Sequence, residues 1–315
     1  MGKKNSSKTV AETICKLSKN LIDRHNGVII GQCLTAVGWV QNTVPKQKNG
    51  IHELQMTDTS GAGIAVGCAL AGSRPILVIR FQSFLWLNSS PIIMHAGIAK
   101  EIFGYGCPVL IRAIASESAD GQGPLHANNY HSIFLNVPGV SVCAPMTPNE
   151  YKEVWNYYLK HDAPLLISEH RNSYKSSMEI KNIYNKTDFS DATIFAISSS
   201  RFSAYAVCKN IKDLKLNLIN IVWLNPLKFK KKDIETLKKS KIGLVIDASY
   251  EYCGVTESIA YKLQALSNVP VYAMGLKNRL PGVNKINENG TPTPMEILDK
   301  IRLMIKKKQQ VCDNN

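Results

Sequence analysis

Apolar runs alternate with amphipathic segments along nearly the whole chain, and this alternation limits the available folds more than any other feature. "GVIIGQC" (27–33), "PILVIRF" (75–81), "PVLIRAIA" (108–115), "VSVCAP" (140–145) and "PLLISEH" (164–170) read as strands. They are almost continuously apolar, as strands buried on both faces must be, so a parallel sheet with helices on both sides is expected. Helices are expected over 8–24, 61–71, 88–103 and 147–161. The first carries Val10, Ile14, Leu17 and Leu21 at helical spacing. In 88–103, Pro91 is placed in the first turn. The last opens with Thr147 as cap, Pro148 next and Glu150 three residues after the cap.

The texture changes at "NSYKSSMEIKNIYNKTDFSD" (172–191), which is polar and without a period. Alternation then resumes, with strands expected at 192–198, 216–223, 242–248 and 269–273 and helices at 201–213, 231–240, 254–266 and 294–307. The expected fold class is α/β, with two domains that are each a mostly parallel sheet flanked by helices. The boundaries are a first domain over 1–175, a linker over 176–190 and a second domain over 191–315.

Composition narrows the function classes. With 315 residues, 44% of them apolar, a large buried core is available. No run approaches the ~18 apolar residues of a membrane span. Gly2 followed by Ser6 matches an acylation pattern common by chance, and an ordinary basic tail is the expectation. The eight cysteines form no CxxC pair and sit mostly in apolar runs. They read as free buried thiols of a reducing cytoplasm, not as disulfides or zinc ligands. The net charge is +14, but the lysines gather in 228–243 and 300–310 without interleaved aromatics. Solvated helix faces, or a surface for an acidic partner, explain them better than nucleic acid.

Three stretches carry candidate chemistry. "TDTSGAGIAVG" (57–67) is rich in glycine, with Asp58 in front. It contains no G-x-x-x-x-G-K-[ST], and its glycines do not follow a strand in a dinucleotide fingerprint. A tightly packed helix is the plain reading, with Asp58 as either its cap or a chemical group. "ADGQGPLHANNYHSIF" (119–134) holds His126 and His131 in a loop beyond a strand, where acid–base chemistry is commonly placed. "RFQSFLW" (80–86) sets Phe81, Phe84 and Trp86 at a strand's carboxyl end, as core or as a platform for a flat ring.

Taken in order, "MTDTSGAGIAVGCALAGSRPI" (56–76), "GPLHANNYHSIFLNVPGVSVCAPMTPNEYKEVW" (123–155) and "DASYEYCGVTESIAYKL" (247–263) resemble the β subunit of thiamine-diphosphate-dependent 2-oxo acid dehydrogenase E1 components. More distantly they resemble the last two domains of transketolase. The resemblance implies a pyrimidine-binding domain followed by a transketolase C-terminal-type domain. It also implies a cofactor site shared between subunits, with Mg²⁺ and the diphosphate held by a partner through Gly-Asp-Gly…Asn. This sequence contains no Gly-Asp-Gly. The implied partners are an α-type subunit, in an α₂β₂ tetramer, and a lipoyl E2 protein.

By the same resemblance, Phe84 stands at the pyrimidine-stacking position and His126 at the catalytic loop histidine. Asp58 stands where the family has a glutamate that bonds the pyrimidine and sets it up to take the thiazolium proton. Two departures follow. Aspartate is one methylene shorter, so the backbone moves in, or water bridges, or activation is weak. Arg80 stands near the pyrimidine where an uncharged residue is usual, and is counted with Asp58 and Phe84 as cofactor-binding. Three functions stay open: decarboxylation of a 2-oxo acid with acyl transfer, a transketolase-like carboligation onto an aldehyde or sugar, and a non-catalytic β-like scaffold.

Overall fold

The structure, a computed structural model, describes residues 8–284 and 288–313. The tail bearing Gly2 and the side chain of Cys312 lie outside the described residues. The chain divides into two compact units. One comprises the residues up to Ser116, Leu125–Glu179 and Leu224–Pro226; the other comprises Glu117–Pro124, Ile180–Trp223 and the residues from Leu227 on.

The first unit runs α1 (Val10–Arg24), β1 (Gly27–Gln32), α2 (Ala36–Asn42), β2 (Ile51–Leu54), α3 (Asp58–Leu70), β3 (Arg74–Ile79), α4 (Leu85–Pro91), α5 (Ala99–Phe103), β4 (Leu110–Ala115), β5 (Ser141–Cys143), α6 (Pro148–Lys160) and β6 (Leu165–His170). Its sheet has the order β2-β1-β3-β4-β6-β5, closed by a short strand, β9 (Trp223–Asn225). The paired strands β1 to β6 run parallel. All six residues of β4 and all six of β6 are buried, which is why these strands read as unbroken apolar runs. α6 begins as its sequence dictates. The Thr147 hydroxyl accepts from the Glu150 amide, the Glu150 carboxylate accepts from the Thr147 amide, and Pro148 occupies the first turn.

One buried polar group interrupts the core. On β4, Arg112 donates Nε and Nη2 to the two carboxylate oxygens of Glu169 on β6, at 2.6 and 3.0 Å, and both side chains are fully buried. The Tyr174 hydroxyl also donates to Glu169, at 2.6 Å. Arg112 pairs in register with Ile167, two residues before Glu169, so both charged groups lie on one face of the sheet.

The second unit holds β7 (Ser190–Ile197), α7 (Ser200–Asn210), β8 (Leu216–Ile221), α8 (Lys231–Lys238), β10 (Ser240–Tyr250), α9 (Val255–Ser267), β11 (Val271–Leu276) and α10 (Pro294–Asp313). Its strands are parallel in the order β11-β10-β7-β8. Alternate residues Ala192, Ile194, Ala196, Ile242, Leu244 and Ile246 meet Ala204 and Val207 of α7 and Ile297, Ile301 and Met304 of α10. Ile180 joins this core, and Ile183 bridges antiparallel to Leu218.

Two expectations are corrected. The segment 88–103 is not one helix. Pro91 closes α4 instead of opening a helix, a π turn follows over Ile92–Ala96, and α5 starts at Ala99. Proline removes a ladder donor, and the wider turn absorbs the loss, with the Gly97 amide reaching the Ile92 carbonyl at 2.9 Å. The cysteines are also not uniformly buried. Cys107 and Cys143 are, but Cys15, Cys33, Cys68 and Cys208 are half-buried and Cys253 is exposed ahead of α9. Burial pushes the Cys107 thiol up to about 11 and, for Cys208, burial does the same to about 12. Alkylation of the native chain at pH 8, followed by peptide mass analysis, is expected to label Cys253 first and to leave Cys107 and Cys143 unlabelled until denaturant is added.

No helix among the described residues is long and apolar enough to cross a membrane.

Candidate functional site

The order of the first sheet reverses between β1 and β3: β1 is followed by a strand on one side and β3 by a strand on the other. The crevice beyond the carboxyl ends at such a reversal is where open α/β sheets take ligands. A cavity of about 210 Å³ lies there. Its floor is Gly31, Gln32 and Cys33 from β1 and Leu77 to Phe81 from β3. Gly31 is required, because a Cβ there would meet the Val78 carbonyl at 2.7 Å.

Asp58, Arg80, Phe84 and His126 all line this cavity. Asp58 is the first residue of α3, and neither it nor Thr57 caps the helix with its side chain. Among the described residues its carboxylate has no hydrogen-bond or ion-pair partner. The helix amides favour negative charge at this position without consuming it. α3 buries Ala62, Ala65, Val66 and Ala69 at helical spacing and turns Gly63, Ile64 and Gly67 outward. A Cβ on Gly67 would meet nothing within 4 Å.

Arg80 is held by its own surroundings. Its Nη1 donates to the Cys33 carbonyl at 3.2 Å, and its Nε is buried without a partner. Arg171, which the sequence reading passed over, lies 4.3 Å over the Phe81 ring and donates to the Arg80 carbonyl at 2.9 Å.

The aromatic platform is narrower than the sequence suggests. Phe81 and Phe84 line the cavity, with ring centroids 6.3 Å apart. Trp86 is 57% exposed and meets Tyr130 edge-on instead. The His126 ring fills the angle between the phenylalanines, at 4.2 Å from Phe81 and 5.9 Å from Phe84. Asn88 also lines the cavity, and its Nδ2 donates to the Phe84 carbonyl at 2.9 Å.

The two loop histidines separate. His131 is fully buried, with Nδ1 2.8 Å from the Ser168 hydroxyl, and does not line the cavity. Beside it lies Gln82, a buried glutamine among aromatics that sequence reasoning missed. A polar side chain within an otherwise apolar run was the available signal. At the loop's end, Gly97 and Gly139 back onto each other. A Cβ on Gly139, whose φ is +75°, would overlap the Gly97 carbonyl at 1.9 Å. Among the described residues no cluster of three or more acidic, histidine or cysteine side chains is placed to hold a metal ion.

Comparison with known proteins places this geometry. Residues 23–177 match the family model described as "Transketolase, pyrimidine binding domain". The chain is similar to the pyruvate dehydrogenase E1 component subunit β of Rickettsia felis, at 24% identity over 237 residues covering 71% of each chain. It is similar to the 2-oxoisovalerate dehydrogenase subunit β of Bacillus subtilis, at 26% identity over 127 residues covering 40% of this chain and 38% of that one. Among solved structures, a split-gene transketolase described as an inactive β4 tetramer superposes with a TM-score of 0.71 at 13% identity, covering 96% of this chain and all of that one. The last likeness concerns the fold alone.

Proposed function

We propose that this chain, whose residues 23–177 match the transketolase pyrimidine-binding family and which is similar to E1 β subunits, is the β-type subunit of a thiamine-diphosphate-dependent enzyme acting on a 2-oxo acid. One observation carries the reading. A single cavity at the strand-order reversal joins an unpartnered carboxylate, a phenylalanine face and a loop imidazole. A flat nitrogen heterocycle would fit that donor set, with Phe84 and Asp58 as the residues that would hold it among apolar neighbours such as Leu54 and Leu77.

Thiamine diphosphate, when bound, supplies the electron sink that makes cleavage beside a carbonyl feasible. The chain's own residues bind, orient and move protons. Asp58 would hold a ring nitrogen through its carboxyl group, and Phe84 would pack against the ring. His126, whose ring lies beside Phe81 and Phe84 in the cavity, would give or take a proton at the substrate carbonyl oxygen. Arg80, whose side chain lines the cavity, offers a guanidinium donor to the substrate carboxylate. Arg80 also favours the second reading, carboligation onto an aldehyde or sugar, because a charged donor suits a hydroxylated or phosphorylated acceptor.

The Mg²⁺ and diphosphate half falls to an α-type partner in an α₂β₂ assembly. Exposed Ile64, Leu87, Met94, Ile102 and Phe103 on the α3–α5 side give such a partner an apolar surface to cover. A lipoyl E2 protein is the acyl acceptor, and seven free cysteines among the described residues suit a reducing cytoplasm.

The test is co-purification with an α-type chain, titration with thiamine diphosphate and Mg²⁺, and exchange of the cofactor's C2 proton with deuterated solvent. Saturable binding with accelerated exchange is expected. No binding, or binding without exchange, leaves only a scaffold. Pyruvate with an artificial electron acceptor, against pyruvate with a panel of aldehydes, separates the two enzymatic readings. Phe84→Ala is expected to weaken cofactor binding by about 1–3 kcal/mol in lost stacking and burial, read by the same titration. Unchanged affinity would remove Phe84 from the site.

A further inference from the structure

The ring of His126 stands between two phenylalanines, yet the loop that carries it has no regular structure from Gly121 to Tyr130. Something must fix the loop against the segment that carries Phe84. Gln82 does so from the first residue of that segment. Its side chain is fully buried. Nε2 donates to the Ala113 carbonyl on β4 at 3.1 Å and to the Ser168 hydroxyl on β6 at 2.8 Å. Oε1 accepts from the Tyr130 amide in the histidine loop at 2.7 Å. Ser168 in turn meets His131 Nδ1 at 2.8 Å. One residue further along, the Ser83 hydroxyl accepts from Asn128 Nδ2 at 3.0 Å.

A single amide thus ties two strands and the histidine loop to the turn that presents Phe84. We infer that Gln82 is a positioning residue of this site. Through Ser168 and the Tyr130 amide it sets the separation between the His126 imidazole and the Phe84 ring. It touches neither substrate nor cofactor. The physical reason is satisfaction of buried groups: glutamine here fills both donors and one acceptor, and any slip of the loop leaves a buried amide unpaired. A network this fully connected has one low-energy arrangement, which makes it a stiff spacer.

The kinetic half of this inference rests on the 2-oxo acid reading; the geometric half does not. The first experiment therefore needs no cofactor. The full chain is labelled at histidine ring carbon Cε1, and the His126 signal is assigned by its loss in His126→Gln. With ring centroids 4.2 Å apart and the rings tilted by 47°, the proximity of Phe81 gives this proton a ring-current shift. In Gln82→Met, which keeps the volume and loses the three bonds, the signal is expected to move to the position of an unstacked histidine, while those of His25 and His161 stay. Gln82→Glu keeps the acceptor for the Tyr130 amide but sets an oxygen against the Ala113 carbonyl, and is expected to move the signal as well. A His126 signal unmoved in Gln82→Met overturns the inference.

The second experiment uses the complex with its α-type partner, thiamine diphosphate, Mg²⁺ and pyruvate. Misplacement of a reacting group by about 1 Å costs on the order of 10²-fold in rate. A kcat loss of that size in Gln82→Met, with cofactor Kd little changed, is expected. A change confined to Kd or thermal stability assigns Gln82 to the core and overturns its positioning role. If the wild-type complex binds no thiamine diphosphate, the functional reading fails, while the histidine signal still decides what Gln82 positions.

Discussion

Asp58→Ala is expected to abolish C2 proton exchange and turnover, by at least about 10²-fold, while leaving the fold intact. The asymmetry follows from the carboxylate's surroundings. It caps nothing and has no partner among the described residues, so its removal forfeits only its interaction with the helix amides, about 0.3–1 kcal/mol. Thermal unfolding of the variant should therefore stay within about 4 °C of the wild-type midpoint. Asp58→Glu is expected to retain activity or raise it, because the cavity ahead of α3 has room for one more methylene. An alanine variant with full turnover would reduce Asp58 to a favourable charge at a helix start.

Glu169→Ala is expected to produce the largest loss of stability of any single change in the first unit, about 3–5 kcal/mol, because it strands the buried Arg112 guanidinium. It also leaves the Tyr174 hydroxyl without its acceptor at 2.6 Å. Replacing both charges, as Arg112→Met with Glu169→Leu, is expected to cost much less than either single change, since no buried charge then remains uncompensated. Urea unfolding of the two single variants and the pair forms a double-mutant cycle that measures this directly. Additive losses would show that the pair contributes only as two separate side chains.

The sheets were legible in the sequence because parallel strands buried on both faces leave a local trace, the continuous apolar run. β2 left none, since "IHEL" is short and half polar. The break at Pro91 was misplaced because whether a proline opens a helix or ends it depends on where the preceding turn begins. In the site, the cavity-lining side chains were visible as residue types: an acid before glycines, a histidine in a loop, aromatics at a strand end. What joins them was not. Gln82, Ser168 and His131 lie on segments far apart in sequence, and their meaning comes only from Ser168 lying within 3 Å of both of the others. Arg171 was invisible for the same reason: its role is to lie on Phe81, ninety residues earlier.

The contact between Gly97 and Gly139 has a consequence for traffic through the site. Together with the ties at Asn128 and Tyr130, it fastens the stretch that follows His126. A stretch so fastened is a wall and not a door. Met56, by contrast, lines the cavity and is 74% exposed, so solvent reaches the lining there.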